Sequence, residues 1–256
     1  MKYVYSKFDG IDFFFFRIGG SGLGNLLYPF FRALIHAKNN NLKIISPTFK
    51  SFKIGPYLRK ENQKRLYDYN YENSIGGFMK LWLLLFSNKV LIFESFGDGF
   101  KSLYGHEDFL KEKLKSLVKE DYDEEKYKES ICCHIRLGDF KLADNNEIKN
   151  NTRLPIIWYK DMINYLRKDN HNMKVYLFSD GKKSELIEIL KLGNVFLETS
   201  INPIIDILKL SCSKYLIGSY SSFSFWAAFF SKAECYWHKS IFNNEEFPQN
   251  SNNFQF

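Results

Sequence analysis

The 256-residue chain has only four cysteines, and none of them belongs to a Cys-X-X-Cys pair. Cys132, Cys133, Cys212 and Cys235 lie in or beside apolar segments. Structural metal sites and disulfide frameworks both depend on characteristic cysteine spacings, which this chain lacks. The sequence therefore predicts buried free thiols in a reducing compartment, rather than disulfides or a metal site.

Long hydrophobic runs are also scarce. The longest apolar patch, Leu81–Phe86 followed by Val90–Phe93, is interrupted and too short to span a bilayer, so we expect a buried helix end and a strand there. The first residues show no basic region ahead of a sufficiently long apolar stretch with a small-residue cleavage site, so no signal peptide is expected. Both absences favour a cytoplasmic protein.

The chain carries a formal net charge of +7. This excess predicts acidic partners, which could be a nucleotide diphosphate, a phosphorylated lipid, an anionic bilayer surface or nucleic acid. The basic residues are scattered, and Lys111–Lys128 mixes lysine with acidic residues as a solvated helix and connector would. RNA-binding signatures and zinc-finger spacings are missing, so nucleic acid is not expected as a partner.

The most informative segment that is present runs from Ile131 to Phe140. Ile131–Ile135 is a short apolar run typical of a buried strand, and the turn that follows contains Arg136 and Asp139. Open α/β sheets bind ligands at such strand ends, and the fork of an arginine suits phosphate oxygens. The alternative is an ion pair between Arg136 and Asp139 at the surface.

Two other turns could also face an anion. A glycine loop over residues 19–25 follows the apolar run Phe13–Ile18 and precedes a helix-like pattern, and a serine-rich turn over 218–224 precedes another. Free N–H groups at helix starts bind phosphates, although the serines could simply cap their helix. The glycine loop lacks the Lys-Ser/Thr of a P-loop and fits GxGxxG poorly, so dinucleotide binding is not expected.

Strands and helices alternate along both halves of the chain. Expected strands in the first half are Phe13–Ile18, Leu42–Ser46 and Val90–Phe93, and Asp121–Glu129 is the best linker candidate. The second half is more regular. Its expected strands are Ile131–Arg136, Lys174–Phe178, Val195–Leu197, Lys214–Ile217 and Glu234–Trp237, with helices between them. Such alternation favours parallel sheets with crossover helices.

Four motifs, in this order, resemble those of bacterial α-1,2-fucosyltransferases. They are Gly22-Leu23-Gly24-Asn25 before a helix with an aromatic seam (GLGNQLFQYA), His134–Asp139 (HxRRGD), Phe178-Ser179-Asp180 (FSDD) and Ser221–Ala228 (SNSSFSWWAA). Four positions depart from the family pattern: Leu26 replaces Gln, Leu137 replaces the second Arg, Gly181 replaces the second Asp, and Tyr220 replaces Asn.

The resemblance implies an α/β protein of the GT-B class, with two Rossmann-like domains facing a central cleft. Residues 1–128 would form the acceptor side, and residues 129–256 the GDP-sugar side. The implied activity is inverting, metal-independent transfer of fucose from GDP-fucose, without a cofactor, to a galactose-type hydroxyl. The acceptor would be an oligosaccharide or lipid-linked glycan for lipopolysaccharide or O-antigen, with peripheral contact at the inner membrane.

The resemblance also suggests roles for the motif residues on the donor side. Arg136 would donate to the β-phosphate, while Ser221, Ser222 and the N–H groups around Phe223 would hold the same diphosphate. Asp180 would accept from the guanine edge or, alternatively, cap a helix. Gly22, Gly24 and Asn25 would line the cleft from the other domain.

Other roles stay open on the sequence. His134 contacts the donor or the acceptor, or is packed at a strand end. Inversion needs a group to accept the acceptor's hydroxyl proton. Asp139 is one candidate, although it could instead orient Arg136, and Glu94, Asp98 and His106 are others. Competing functions are a transferase for another nucleotide sugar, a nucleotide-sugar enzyme without an acceptor, and an inactive glycan- or nucleotide-binding module.

Overall fold

The computed structural model describes residues 2–52, 67–141, 152–199, 202–241, 247–248 and 253–255. The chain divides into two compact units, an N-terminal unit Met1–Lys119 and a C-terminal unit Glu120–Phe256. Each unit has a parallel sheet with helices, as the alternating pattern predicts. The expected pair of Rossmann-like domains, which are the building blocks of a GT-B protein, is therefore confirmed.

The division falls before the expected boundary at residues 128 and 129. The expected linker contains a short helix, Glu125–Lys128, which packs on the C-terminal unit. Tyr127 is buried there, its hydroxyl donates to Glu198 Oε2 at 3.1 Å, and its ring lies edge-on to Tyr176. These contacts place the segment with the second unit.

The main sheet of the N-terminal unit has three parallel strands in the order β4-β1-β6, which are Lys43–Ile45, Tyr3–Ser6 and Val90–Phe93. Helix α1 (Leu23–Asn40) packs on one face through Val4, Ala33 and Ala37. Helix α2 (Gly77–Phe86) packs on the other through Leu83. Further elements are a 3-10 turn, Lys101–Leu103, and helix α3, Glu107–Lys115.

The expected strand over Phe13–Ile18 is wrong. The segment forms a small hairpin, with β2 at Ile11–Asp12 and β3 at Arg17–Ile18, that pairs with β5 at Ser51–Phe52. Asp12 Oδ1 accepts the N–H of Phe14 at 2.7 Å, which forms a side-chain turn and places Phe14 at a φ of 67°. An aspartate that turns the chain thus prevents one long strand.

Helix α2 contradicts the expectation of a buried helix end over Leu81–Phe86. Its apolar residues Trp82, Leu85 and Phe86 are exposed, whereas Lys80 is 3% exposed. The Lys80 ammonium donates to Thr48 Oγ1 at 2.7 Å and lies 5.3 Å from the centre of the Tyr5 ring. Burial lowers the pKa of Lys80 to about 8, against an opposing contribution from Asp12. The buried side of this helix therefore carries Lys80 as well as Leu83, while most of its large apolar side chains are exposed.

The C-terminal unit contains a six-stranded parallel sheet in the order β12-β11-β10-β7-β8-β9. In chain order the strands are Ile131–Ile135 (β7), Val175–Ser179 (β8), Val195–Leu197 (β9), Tyr215–Ile217 (β10), Glu234–Trp237 (β11) and Asn253–Gln255 (β12). The helices that follow Glu125–Lys128 (α4) are Ile156–Leu166 (α5), Ile187–Leu190 (α6), Pro203–Leu210 (α7) and Ser222–Phe229 (α8), with 3-10 turns at Lys183–Leu186 and Lys239–Ile241. The chain order reverses at β7, which lies between β8 and β10. Ligands of open α/β sheets bind outside the carboxyl ends of strands at such a switch point.

The cysteines are free thiols, as predicted, and three of them are buried. Burial raises the pKa of Cys132 and Cys133, and raises that of Cys235 to about 12. Within the described ranges, every helix is too short or too polar to traverse a bilayer.

Candidate active site

The carboxyl ends of β10, β7 and β8 bring three of the four sequence motifs together. The strands are hydrogen-bonded neighbours, so the turns after Ile217, Ile135 and Ser179 emerge at one edge of the sheet. Arg136 and Asp139 follow β7, Asp180 follows β8, and the serine turn follows β10. The fourth motif, the glycine loop, lies in the N-terminal unit.

Arg136 is held between two carboxylates. Its Nη2 lies 2.6 Å from Asp139 Oδ1, and its Nη1 lies 2.6 Å from Asp180 Oδ2. The guanidinium carbon stands 5.3 Å from the centre of the Phe140 ring. A guanidinium has five N–H donors, so these two contacts leave donors for a further anion. The ion pair expected between Arg136 and Asp139 is present, and Asp180 joins it.

Asp180 fixes the turn that carries Arg136. Its Oδ1 accepts the N–H of Leu137 at 2.8 Å and the N–H of Gly138 at 3.0 Å. The next helical turn is closed by Glu185, whose Oε2 accepts the Lys182 N–H at 2.8 Å. Asp180 thus binds the strand-end turn and Arg136. The residue that caps the following helical turn is Glu185, not Asp180.

Arg153 is a member of this cluster that the sequence interpretation missed. Its Nε donates to the Phe140 carbonyl at 2.8 Å, and its Nη1 lies 2.7 Å from Glu185 Oε1. It therefore links the turn after β7 to the turn after β8. A lone arginine in an irregular segment carries no motif, so only the fold reveals this role.

Two departures from the family motifs lie against each other. An ideal Cβ on Gly181 would stand 2.9 Å from Leu137 Cβ and would overlap the rest of that side chain. Leu137 itself is buried. Leu137 therefore replaces the Arg of the family pattern, and Gly181, which replaces the Asp, leaves the space that the leucine side chain occupies.

His134 is buried beside the serine turn. Its Nδ1 lies 2.6 Å from Ser224 Oγ and 3.0 Å from Ser219 Oγ, and the Ser219 N–H donates to Ser224 Oγ at 3.0 Å. The Phe223 ring stands 4.8 Å from the imidazole. Burial lowers the pKa of His134 to about 3; the Asp180 carboxylate opposes this shift and Arg136 adds to it. His134 is therefore neutral at physiological pH and orders the start of α8 through hydroxyls. Ser219 and Ser224 were signalled only by the serine-rich turn.

His134 makes stability depend on pH. An unfolded histidine titrates near pH 6.5, so between about pH 6.5 and 3 the unfolded chain binds a proton that the folded chain does not. The free energy of unfolding therefore decreases as the pH is lowered through this range. We expect the free energy of unfolding to fall by about 2 kcal/mol more in the wild type than in His134→Gln between pH 7 and pH 5. Urea titrations at the two pH values measure this difference, and parallel losses would contradict a neutral buried imidazole.

Ser221 is the N-cap of α8. Its hydroxyl accepts the Phe223 N–H at 3.2 Å, which is the capping interpretation of the sequence. Ser222 and Phe223 form the first turn of the helix and are partly exposed. Capping and anion binding are compatible, because the partial positive charge of a helix start remains.

The glycine loop is organised by a buried arginine. Arg17 is fully buried, donates through Nε to the Thr48 carbonyl at 2.6 Å, and donates through Nη1 to the Asp9 carbonyl at 2.5 Å. Gly20 has a φ of 86°, and a Cβ there would lie 2.7 Å from Arg17 Nη1. The loop therefore needs glycine for close approach of its own backbone.

Helix α1 begins directly after Gly22. Its first N–H, from Leu23, donates to the Tyr67 hydroxyl at 3.2 Å, and the Asn25 N–H donates to the Gly22 carbonyl at 3.1 Å. Gly24 is buried in the first turn, and Asn25 is partly exposed. The expected strand–loop–helix order thus holds, although the strand before the loop is only the two-residue β3.

A cavity of about 380 Å³ opens beside the glycine loop in the N-terminal unit. Lys7, Asp9, Asn25 and Glu94 provide its charged and amide groups. Asp9 accepts from both the N–H and the hydroxyl of Ser21, at 2.8 and 2.9 Å. The Glu94 side chain is 61% exposed, and its Oε2 lies 3.5 Å from Lys7 Nζ.

Of the candidate bases, Glu94 is the one that lines this cavity. Asp98 accepts from Ser102 at 2.8 Å, and His106 precedes helix α3. Arg32 holds the backbone beside Glu94, donating to its carbonyl at 2.6 Å. Across the described ranges, no cluster of His, Cys, Asp or Glu side chains could hold a metal ion.

The model of glycosyl transferase family 11 matches residues 27–255. The chain belongs to glycosyl transferase family 11. The matched range begins inside α1 and ends in β12, so it covers the His134, Asp180 and Ser221 motifs, while the glycine loop lies just before it. Comparison with curated proteins gave no match.

Three solved structures are among those similar to this family-11 chain. POFUT1 in complex with GDP is 14% identical, with 91% of this chain and 96% of that chain covered and a TM-score of 0.47. E. coli heptosyltransferase WaaC with ADP is 9% identical, with 100% and 92% covered and a TM-score of 0.47. NodZ α-1,6-fucosyltransferase soaked with GDP-fucose is 13% identical, with 90% and 92% covered and a TM-score of 0.42.

Proposed function

We propose that this family-11 glycosyltransferase transfers fucose from GDP-fucose to a hydroxyl of a galactose-type glycan, with inversion and without a metal. The observation that carries the proposal is the fork of Arg136, fixed at the switch point of the sheet beside the start of α8. A departing diphosphate gains negative charge at its β-phosphate, and donors held in place before the reaction stabilise that charge.

In the proposed transfer, one bond forms and one breaks at the anomeric carbon, and residues of the C-terminal unit stabilise the departing GDP. The acceptor oxygen bonds to the anomeric carbon of fucose as the bond from that carbon to the β-phosphate oxygen breaks, and GDP leaves. Arg136 and the N–H groups at the start of α8 receive the charge of GDP. Neutral His134 supplies no charge, and its proposed role is to order Ser219 and Ser224 around that helix start.

We assign the acceptor to the cavity of the N-terminal unit. Hydroxyl groups of a glycan pair well with carboxylates and amides, which Asp9, Asn25 and Glu94 supply there. Glu94 is the proposed acceptor of the hydroxyl proton, because it lines this cavity, whereas Asp139 lies in the C-terminal unit beside Arg136. The proposed setting is the cytoplasm, whose reducing conditions suit buried free thiols.

Thermal stabilisation by a panel of nucleotides tests the donor. We expect GDP, GDP-fucose and, more weakly, GDP-mannose to raise the melting temperature, while UDP-galactose leaves it unchanged. A ligand at about 100 times its Kd stabilises a folded protein by about 2.7 kcal/mol, which is easily measured.

The same panel on Glu94→Gln separates binding from transfer. This variant should keep the GDP shift and lose transfer of fucose to galactosides, measured as GDP release that depends on acceptor. If no nucleotide stabilises the wild type, the proposed transferase is contradicted, and an inactive glycan-binding module becomes the leading alternative. GDP release without any acceptor would instead identify a nucleotide-sugar hydrolase.

A further inference from the structure

Helix α2 exposes the apolar side that a helix of a globular protein normally buries. Phe78, Met79, Trp82, Leu85 and Phe86 are each more than half exposed, and Phe78 reaches 86%. Lys80, the one charged residue of the helix, points inward to Thr48. Normal amphipathic helices have the opposite arrangement, and exposed apolar patches of this kind mark protein or membrane contacts.

Two neighbouring elements extend this surface. Ile92 of β6 is half exposed and pairs with Tyr5, so it lies on the sheet face that α2 covers. The β2–β3 hairpin exposes Phe13 and Phe15 at its tip, and its Phe14 carbonyl accepts from the same Thr48 hydroxyl that Lys80 contacts. Thr48 thus links the helix to the hairpin.

A cluster of lysines lies at the end of α2. Lys89 follows the helix by three residues, its carbonyl accepts the Lys2 N–H at 3.0 Å, and the Lys2 carbonyl accepts the Lys43 N–H at 3.2 Å. All three side chains are exposed, and among the described residues no carboxylate forms an ion pair with them. The segment from Ile75 to Phe93 contains no acidic residue.

We propose that α2, the hairpin tip and these lysines form a surface that docks on an anionic lipid bilayer. A ten-residue helix is about 15 Å long, so it lies in the plane of the interface rather than crossing a hydrocarbon core about 30 Å thick. The apolar side chains enter the interface while the lysines meet anionic headgroups. A second copy of the chain would present the same three lysines, which repel, whereas anionic lipid complements them.

The chain contains its own reporter of docking. Trp158, Trp226 and Trp237 are buried, so Trp82 is the tryptophan that solvent or lipid reaches. We expect vesicles of phosphatidylcholine with 30% phosphatidylglycerol to shift its emission to shorter wavelength and to carry the protein upward in a flotation gradient. Vesicles of phosphatidylcholine alone should bind at least tenfold more weakly, because the lysines then lose their partners.

Paired variants identify the surface. Phe78→Ser with Phe86→Ser should weaken flotation at least tenfold, and Lys43→Gln with Lys89→Gln should weaken it severalfold on anionic vesicles only. Ile157→Ser removes an apolar side chain of the C-terminal unit that is 58% exposed, and it should change nothing. Circular dichroism and urea unfolding check that each variant is folded.

Three outcomes would overturn the proposal: no vesicle binding, binding that Phe78→Ser with Phe86→Ser leaves intact, or a dimer in sedimentation that this double variant dissociates. The last outcome would assign the surface to a second copy. None of these readouts depends on the nucleotide sugar, so docking and the proposed transfer can fail separately.

Discussion

Replacing Arg136 with lysine should lower the turnover of GDP-fucose about 10²- to 10³-fold while leaving the protein folded. Removing one donor that stabilises developing negative charge in an oxyanion hole costs about 10²- to 10³-fold in kcat, and a similar loss is expected here. Lysine keeps the positive charge but has no planar fork, so it cannot contact Asp139, Asp180 and a phosphate at once. The loss should therefore appear mainly in the rate rather than in protein yield.

The fold should tolerate this change because Asp180 keeps its other partners. The N–H groups of Leu137 and Gly138 continue to donate to its Oδ1. Arg153→Lys is the matched control, since it makes the same substitution in a neighbouring arginine of the cluster that binds Glu185 and the Phe140 carbonyl. Single-turnover assays of both variants at saturating GDP-fucose provide the comparison. Turnover of Arg136→Lys within threefold of wild type would remove this residue from the proposed charge stabilisation.

The second large effect concerns Gly218, where alanine should destabilise the C-terminal unit by about 3 kcal/mol. Gly218 directly follows β10, and an added Cβ would overlap the indole of Trp237, standing 2.6 Å from Cε3. Trp237 is fully buried and packs on Phe225 and Phe247, so the ring has no space into which it could move.

Tryptophan fluorescence during urea unfolding can measure this loss in one unit alone. In a Trp82→Phe background the three remaining tryptophans all belong to the C-terminal unit. Gly193→Ala is the control in the same unit, because a Cβ at Gly193 meets no atom within 4 Å and only its φ of 69° opposes alanine. We expect this control to lower the free energy of unfolding by about 1 kcal/mol. Equal stability of the Gly218 and Gly193 variants would contradict tight packing at Trp237.

The sequence was sufficient to predict most of the C-terminal unit. Ile131–Ile135 is apolar at every position but one, as a central parallel strand must be, and Gly218 and the serines mark the end of β10. The switch point depends on the pairing of β7 with β8 and with β10, and no local sequence pattern encodes which strands pair. The partnership of His134 with Ser219 and Ser224 was therefore out of reach, although His134 and Ser224 lie in the motifs and Ser219 lies in the serine-rich turn.

The N-terminal unit shows where periodicity misleads. Phe13–Phe16 has the composition of a buried strand, but Asp12 turns the chain and the hairpin tip is exposed. Leu81–Phe86 has the composition of a buried helix, but only Leu83 in it is buried, and the other buried position of α2 is taken by Lys80, whose partners Thr48 and Tyr5 lie far away in sequence. Hydrophobicity alone does not tell which side of such a helix faces the core.

The strand order of the C-terminal unit also has a consequence for how the protein matures. The chain completes β8 and β9 before it returns to lie beside β7, so the contacts of His134 with Ser219 and Ser224 span 85 and 90 residues. Closing such loops is slow, because its entropic cost is paid before the contacts form. A refolding chain should therefore regain helical circular dichroism before nucleotide binding, and a ribosome-bound fragment that ends before Ser219 should lack the proposed diphosphate site.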